Sequence, residues 1–252
     1  MLLTIDVGNT NTVLGLFDGP ELVESWRIKT DAQTTADEMI LTFRGLLTGR
    51  PPLTGIALCS TVPAVLHELR LMLDRSFPDV ETVIVEPGVK TGVPVVTDNP
   101  REVGADRIVN TLAVFERYGG PAIVVDFGTS TNLDVVSARG EFLGGALAPG
   151  IQISLDALAA RAAQLRKVEL VRPRSAIGRN TVEALQSGAL YGFAGQVDGL
   201  VRRITQELGD VEAVVATGGL AEIVVAESET ITDHDPFLTL YGLQLVFDRN
   251  RP

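Results

Sequence analysis

The sequence predicts an α/β fold of mixed sheets flanked by helices, arranged as two related halves. Three observations carry that prediction. Apolar runs of strand length alternate with segments whose apolar residues recur at helical spacing. One such run ends in Asp6-Val7-Gly8-Asn9-Thr10, and another in Asp126-Phe127-Gly128-Thr129-Ser130-Thr131; both close on Asp-x-Gly followed by small hydroxyl or amide residues. The two aspartates stand 120 residues apart in a chain of 252, so the pattern repeats at nearly half the chain length.

In the first half, residues 2–7, Thr12–Phe17 and Glu24–Ile28 read as three strands in hairpin-like succession. Thr35-Ala36-Asp37-Glu38 reads as a helix start, with Met39, Ile40, Phe43, Leu46 and Leu47 at helical spacing behind it. Ile56–Ser60 is a short buried strand, Val62–Phe77 a helix and Thr82–Val85 a further strand. Asn99-Pro100-Arg101-Glu102 carries the marks of a helix N-terminus: Asn can cap, Pro suits the first position, and Glu can return a bond to the cap. That helix is expected to break at Gly104 and run through Ile108, Leu112 and Phe115 to Gly119-Gly120, the candidate domain boundary.

The second half restarts with strands at Ala122–Asp126, Leu133–Ser137 and Glu141–Ala146, a meander with a turn at Arg139-Gly140. A helix over residues 151–165, a loop around Pro173 and a long helix from Asn180 towards Leu208 follow. Val214–Ala216 is the last clear strand, ending at Thr217-Gly218-Gly219. The long helix carries Gly188, Gly192, Gly195 and Gly199 on one face. Each costs about 1 kcal/mol relative to Ala, which close packing on the chain's own sheet or on a second subunit can offset.

Hydrophobic residues make up 45% and charged residues 21%, an ordinary globular balance. No apolar run approaches the roughly 20 residues of a membrane helix, and the opening strand lacks the basic region of a signal peptide. The single Cys59 rules out an internal disulfide framework, fits a reducing cytosol and reads as a buried strand residue. A net charge of −11 repels phosphate backbones, so nucleic acid is not expected as a partner, nor, without an apolar run of membrane-helix length, is a membrane. A phosphorylated small molecule then needs local help from backbone amides, arginine or a metal.

Asp6 to Thr12 fits a phosphate-binding hairpin: Gly8 permits close approach, Asn and Thr offer donors, and Asp6 can hold a hydrated Mg²⁺. A plain turn capped by Asx bonds is the simpler reading, but the second copy at Asp126 favours the first. Two such turns facing one another can grip a nucleotide's phosphates, and Gly218-Gly219 after a strand is placed to receive a nucleoside. Gly104-Ala105-Asp106-Arg107 can be an ordinary helix-surface ion pair. It can also set Asp106 as general base towards an alcohol, with Arg107 on an anionic substrate. No P-loop motif, nucleophile elbow or histidine-centred metal cluster occurs in the sequence.

With these residues in view, the chain resembles the type III pantothenate kinases, of the superfamily that includes acetate and sugar kinases, actin and the heat-shock chaperone ATPases. The resemblance runs end to end on Asp6–Thr10, Gly104–Arg107, Asp126–Thr131, Gly144–Gly150, Asn180-Thr181 and Ala216–Gly219. It implies two ribonuclease-H-like (actin-like ATPase) domains, 1–118 and 119–252, in a cytoplasmic homodimer. It also implies ATP-dependent phosphorylation of pantothenate to 4′-phosphopantothenate, the first step of coenzyme A biosynthesis. Within that pattern Asp6, Val7, Gly8, Asn9, Thr10, Asn11, Thr12, Val13 and Thr129 contact ATP. Gly104, Ala105, Asp106 and Arg107, with Thr181, contact pantothenate, and Asp106 is the base. Asp126 binds a monovalent cation, K⁺ or NH₄⁺, while Mg²⁺ accompanies ATP, held by Asp6 through water. Two departures stand out: Thr131-Asn132-Leu133-Asp134 replaces Thr-Thr-Phe-Asp, and Thr97 stands where many members have Tyr. The rival readings are a non-catalytic ATP-binding regulator, a kinase for another small alcohol, and a two-metal nuclease or phosphatase using Asp6, Asp126 and Asp134.

Overall fold

The computed structural model describes residues 1–162 and 168–251. The chain forms two compact units. The first comprises Met1–Gly92, Asn99–Ala113 and the stretch from Thr239 onward; the second comprises Val93–Asp98 and Val114–Leu238. No single cut divides them, because the C-terminal stretch returns to the first unit.

In the first unit, β1 (Leu2–Val7), β2 (Asn11–Asp18), β3 (Glu21–Lys29), β4 (Gly55–Ser60) and β5 (Glu81–Ile84) form one sheet in the order β3-β2-β1-β4-β5. β1 runs antiparallel to β2 and parallel to β4. Leu3, Ile5, Val7, Ile56 and Leu58 project from one face onto α1 (Ala36–Leu47) and α2 (Pro63–Ser76), meeting Met39, Phe43, Leu69 and Met72. The α1 start was legible: Thr35 and Glu38 form a complete capping box. The opposite face meets α7 (Leu238–Asn250), a helix the sequence reading did not find. A Cβ at Gly15 would touch Leu240, and one at Gly55 would collide with Phe247. Period-2 spacing at Leu238 and Leu240 and a glycine at 242 blur the helical pattern there.

The expected cap at Asn99 is not made. Pro100–Glu102 is a single 3₁₀ turn closed by backbone bonds, and the Asn99 side chain caps nothing. Gly104 interrupts the run before it becomes α-helical, and α3 (Ala105–Tyr118) begins directly after it.

The second unit repeats the plan. β6 (Ala122–Phe127), β7 (Ser130–Val136), β8 (Phe142–Pro149), β9 (Ala213–Thr217) and the short β10 (Asp233–His234) form a sheet in the order β8-β7-β6-β9-β10, the order of the first sheet. β6 again runs antiparallel to the strand that follows it and parallel to β9. Ile123, Val125, Phe127, Leu133 and Ala216 pack on α4 (Ile151–Arg161), α5 (Thr181–Leu208) and α6 (Ala221–Val225). Residues 163–165 of the expected helix lie outside the described residues. Asn180 caps α5 by accepting from the Glu183 amide at 2.9 Å. Along α5, a Cβ at Gly188, Gly192, Gly195 or Gly199 would meet open space, so among the described residues this face packs against nothing. Among the described residues no helix is long and apolar enough to cross a membrane.

Candidate active site

Two strand ends carry the repeated motif. β1 and β6 share one burial pattern, with four buried residues, a partly exposed aspartate and a buried sixth residue. The run of buried apolar residues anchors each strand, and the aspartate emerges where its sheet ends. In the first unit, Gly8 closes the turn by donating to the Asn11 carbonyl at 3.0 Å. A Cβ at Gly8 would press on that carbonyl at 3.1 Å, so glycine suits the tight turn. Asn9 and Thr10 are exposed at its tip. Two outside bonds brace it: the Thr30 amide donates to the Thr10 carbonyl at 3.0 Å, and the Thr61 amide to the Val7 carbonyl at 3.0 Å. The Thr12 and Thr30 hydroxyls also bond at 2.9 Å. Asp6, Gly8, Asn9, Thr10, Asn11, Thr12 and Val13 therefore sit on one braced hairpin with its tip open to solvent.

Asp6 and Asp106 share the first unit. Burial pushes the Asp6 carboxyl up to about 7, and the negative charge of Asp106 adds to the rise. The Cys59 thiol and the Arg27 charge pull the other way. Cys59 lies opposite Asp6 on β4 and donates Sγ–H to Asp6 Oδ1 at 3.4 Å. The sequence reading made Cys59 a plain core residue; the parallel register that pairs it with Asp6 has no sequence signal. Asp106 stands in the first turn of α3, and burial raises its carboxyl as well. Backbone amides and the Arg107 guanidinium offset part of that rise. A Cβ at Gly104 would collide with Asp106 Oδ1, so the carboxylate folds over the bare glycine. Gly104 thus has a steric purpose besides breaking the helix.

The Asp106 charge raises the cost of ionising Asp6, and a nearby cation would lower it, an arrangement that fits a bound divalent cation. No group of three or more metal-ligating His, Cys, Asp or Glu side chains gathers among the described residues.

In the second unit, Asp126 ends β6 and the Gly128 amide closes the turn on the Ser130 carbonyl at 3.0 Å. Gly218, at φ +93, approaches so closely that a Cβ would strike Asp126 Oδ1 and the Phe127 backbone. A Cβ at Gly150 would strike the Gly128 and Thr129 carbonyls. The turn with Thr129 is thus ringed by glycines, and Asp126 sits in a cradle that one methyl group would fill. Gly218 and Gly219 follow β9, whose Thr217 lies opposite Asp126. The close approach of Gly150 has no signal in the sequence beyond the glycine itself. Thr181 is exposed in the first turn of α5, behind a cap tightened by Glu183, which accepts from the Arg179 amide at 3.1 Å. Thr97 lies beside β8, 3.8 Å from the position a Cβ on Gly144 would take, and its buried hydroxyl has no partner among the described residues.

Comparison with known proteins gives a consistent answer. The family model of the type III pantothenate kinases matches residues 2–203. The chain is 68% identical over 250 residues to the type III pantothenate kinase of Frankia alni, covering 99% of this chain and 100% of that one. It is likewise 68% identical over 251 residues to the type III pantothenate kinase of Salinispora arenicola, with 99% and 100% covered. Among solved structures, the activator of the 2-hydroxyisocaproyl-CoA dehydratase from Clostridium difficile with bound ADPNP superposes with a TM-score of 0.58 at 14% identity. That alignment covers 98% of this chain and 94% of that one. Likeness at this identity speaks for the fold and nothing further.

Proposed function

The chain belongs to the type III pantothenate kinase family, and from that premise we propose that it transfers the γ-phosphoryl group of ATP to the terminal hydroxyl of pantothenate. The product, 4′-phosphopantothenate, begins coenzyme A synthesis. The observation that carries the reading in this chain is the pairing of Asp6 and Asp106 within one unit, beside a braced Asp-x-Gly hairpin.

Phosphoryl transfer is mostly positioning and charge neutralisation. Asp106 accepts the hydroxyl proton as the pantothenate oxygen attacks the γ-phosphorus; the new P–O bond forms as the bond to the β-phosphate oxygen breaks, and ADP leaves. A base raised in pKa by burial is matched to this task, since its affinity for the proton is greater than that of an ordinary aspartate. Arg107 holds the pantothenate carboxylate, and Gly104, Ala105 and Thr181 complete the substrate contacts. Val7 and Val13 flank the hairpin residues, whose amides with Thr129 hold the phosphates, and Gly218-Gly219 receives the nucleoside. Asp6 would hold Mg²⁺, whose charge would help neutralise the phosphates. Asp126, in the glycine-ringed turn, would hold K⁺ or NH₄⁺, which would add neutralising charge.

We assign the protein to the cytoplasm as a homodimer, with the smooth glycine face of α5 at the subunit contact. Its support is the open space over all four glycines. Light scattering should give a dimeric mass, and Gly192→Leu should lower it; a monomeric native protein ends the assignment. The activity is tested by ADP release with pantothenate, sugars or acetate as acceptor, with and without K⁺. Pantothenate alone should support turnover, and more strongly with K⁺. Turnover on a sugar alone would replace pantothenate with another alcohol.

A further inference from the structure

We infer that Arg27, on the edge strand of the first unit, is a binding residue for the γ-phosphate of the nucleotide. This rests on the kinase reading above. The sheet register supplies the geometry. Asp6 lies opposite Val13, and Val13 lies opposite Arg27, so the three side chains project from the same face of adjacent strands. Adjacent strands are about 4.8 Å apart, which places the Arg27 Cα roughly 10 Å from that of Asp6 with only the short Val13 between them. A long arginine side chain crosses much of that gap. The guanidinium is near enough for its charge to act on the Asp6 carboxyl.

Arg27 is exposed, and no ion pair forms from it among the described residues. Other arginines of the same unit are paired: Arg50 with Glu24, Arg70 with Glu86, Arg75 with Asp37. A chain of net charge −11 has acidic groups to spare for such pairs. The carboxylate that Arg27's charge reaches is Asp6, which in turn feels the charge of Asp106. When the nucleotide arrives, its terminal phosphate must approach Asp6 and Asp106, and their negative charge opposes it. A guanidinium on that face opposes the repulsion and offers paired N–H donors to phosphate oxygens. The terminal phosphate is the one at issue because Asp106 takes its proton from the oxygen attacking that phosphorus. Exposed charge on an edge strand also discourages strand-to-strand association, but that purpose makes no demand on nucleotide binding.

The test compares wild type, Arg27→Gln and Arg27→Lys in nucleotide binding and in turnover. Arg27→Gln should raise the inhibition or displacement constant of the non-hydrolysable β,γ-imido analogue about tenfold, while that of ADP moves less than about twofold. kcat/KM for ATP should fall about 10- to 100-fold with the KM for pantothenate unchanged, and Arg27→Lys should recover part of the loss. Equal weakening of ADP and the analogue would overturn the γ-phosphate assignment, as would unchanged constants in a folded variant. The binding arm needs no pantothenate, so wild-type protein that binds nucleotide but leaves pantothenate untouched would refute the kinase reading separately.

Discussion

The two units are built alike and equipped differently. Each presents an aspartate at the fifth position of a buried central strand, between an antiparallel partner and a parallel one. In the first unit the turn leaves three residues between its strands, and its aspartate faces a thiol and a second carboxylate. In the second the turn leaves two, and its aspartate faces Thr217 and the bare backbone of Gly218. One scaffold therefore supports two environments. Carboxylates made hard to ionise suit proton transfer and divalent-cation binding. Glycine-lined space suits an anion or a monovalent cation approached by backbone. Proton transfer should fail when Asp106 of the first unit is altered, and the response to K⁺ when the Asp126 cradle of the second is.

The largest effect should come from Asp106→Asn. Loss of a general base should lower kcat about 10²–10⁴-fold with the KM for ATP little changed. In the wild type, kcat should fall as pH drops through the raised pKa of Asp106, because only the ionised form accepts a proton. A variant that keeps most of its kcat removes Asp106 from that role. Gly104→Ala ranks next. Its backbone tolerates alanine, but the added Cβ displaces the Asp106 carboxylate, and a misplacement of that size should cost about 10- to 100-fold in kcat at an unchanged unfolding temperature. An unaltered rate would mean the carboxylate has room to work elsewhere.

Gly218→Ala tests the second unit. With φ at +93 and a methyl group in the Asp126 cradle, it should lose about 1 kcal/mol or more of stability together with its response to K⁺. A variant as K⁺-dependent as the wild type would separate Asp126 from the cation. The smallest effect concerns stability alone. The Asp6 pKa lies above its ordinary value of 3.8, at about 7, so the unfolded chain gives up this proton first. Burying Asp6 therefore costs stability that grows as pH rises between those two values. In nucleotide-free protein, Asp6→Asn should raise the unfolding temperature at pH 8 and change it little at pH 4. A gain at pH 4 equal to that at pH 8 would refute the linkage.

Much of this was legible in the sequence because the signals were local. The paired Asp-x-Gly turns, the Thr35 capping box, the Asn180 cap and the glycines of α5 are all patterns within a few residues. What escaped depends on the approach of distant segments. Cys59 reaches Asp6 across a parallel register set by a helical crossover, and Gly150 reaches the second turn from the end of β8. α7 was hidden because its apolar residues start at a strand-like spacing and its interior holds Gly242, which must be small to pass the Val109 carbonyl. Asn99 misled because a good capping sequence was followed too soon by Gly104.

The most direct measurement is phosphorus NMR of wild-type protein incubated with ATP, Mg²⁺, K⁺ and pantothenate. A phosphomonoester resonance on the terminal hydroxyl of pantothenate should grow in step with ADP, and Asp106→Asn should suppress it while nucleotide still binds. Release of inorganic phosphate without that ester, or an equal yield of ester from Asp106→Asn, would contradict the assignment of the first unit as the seat of phosphoryl transfer.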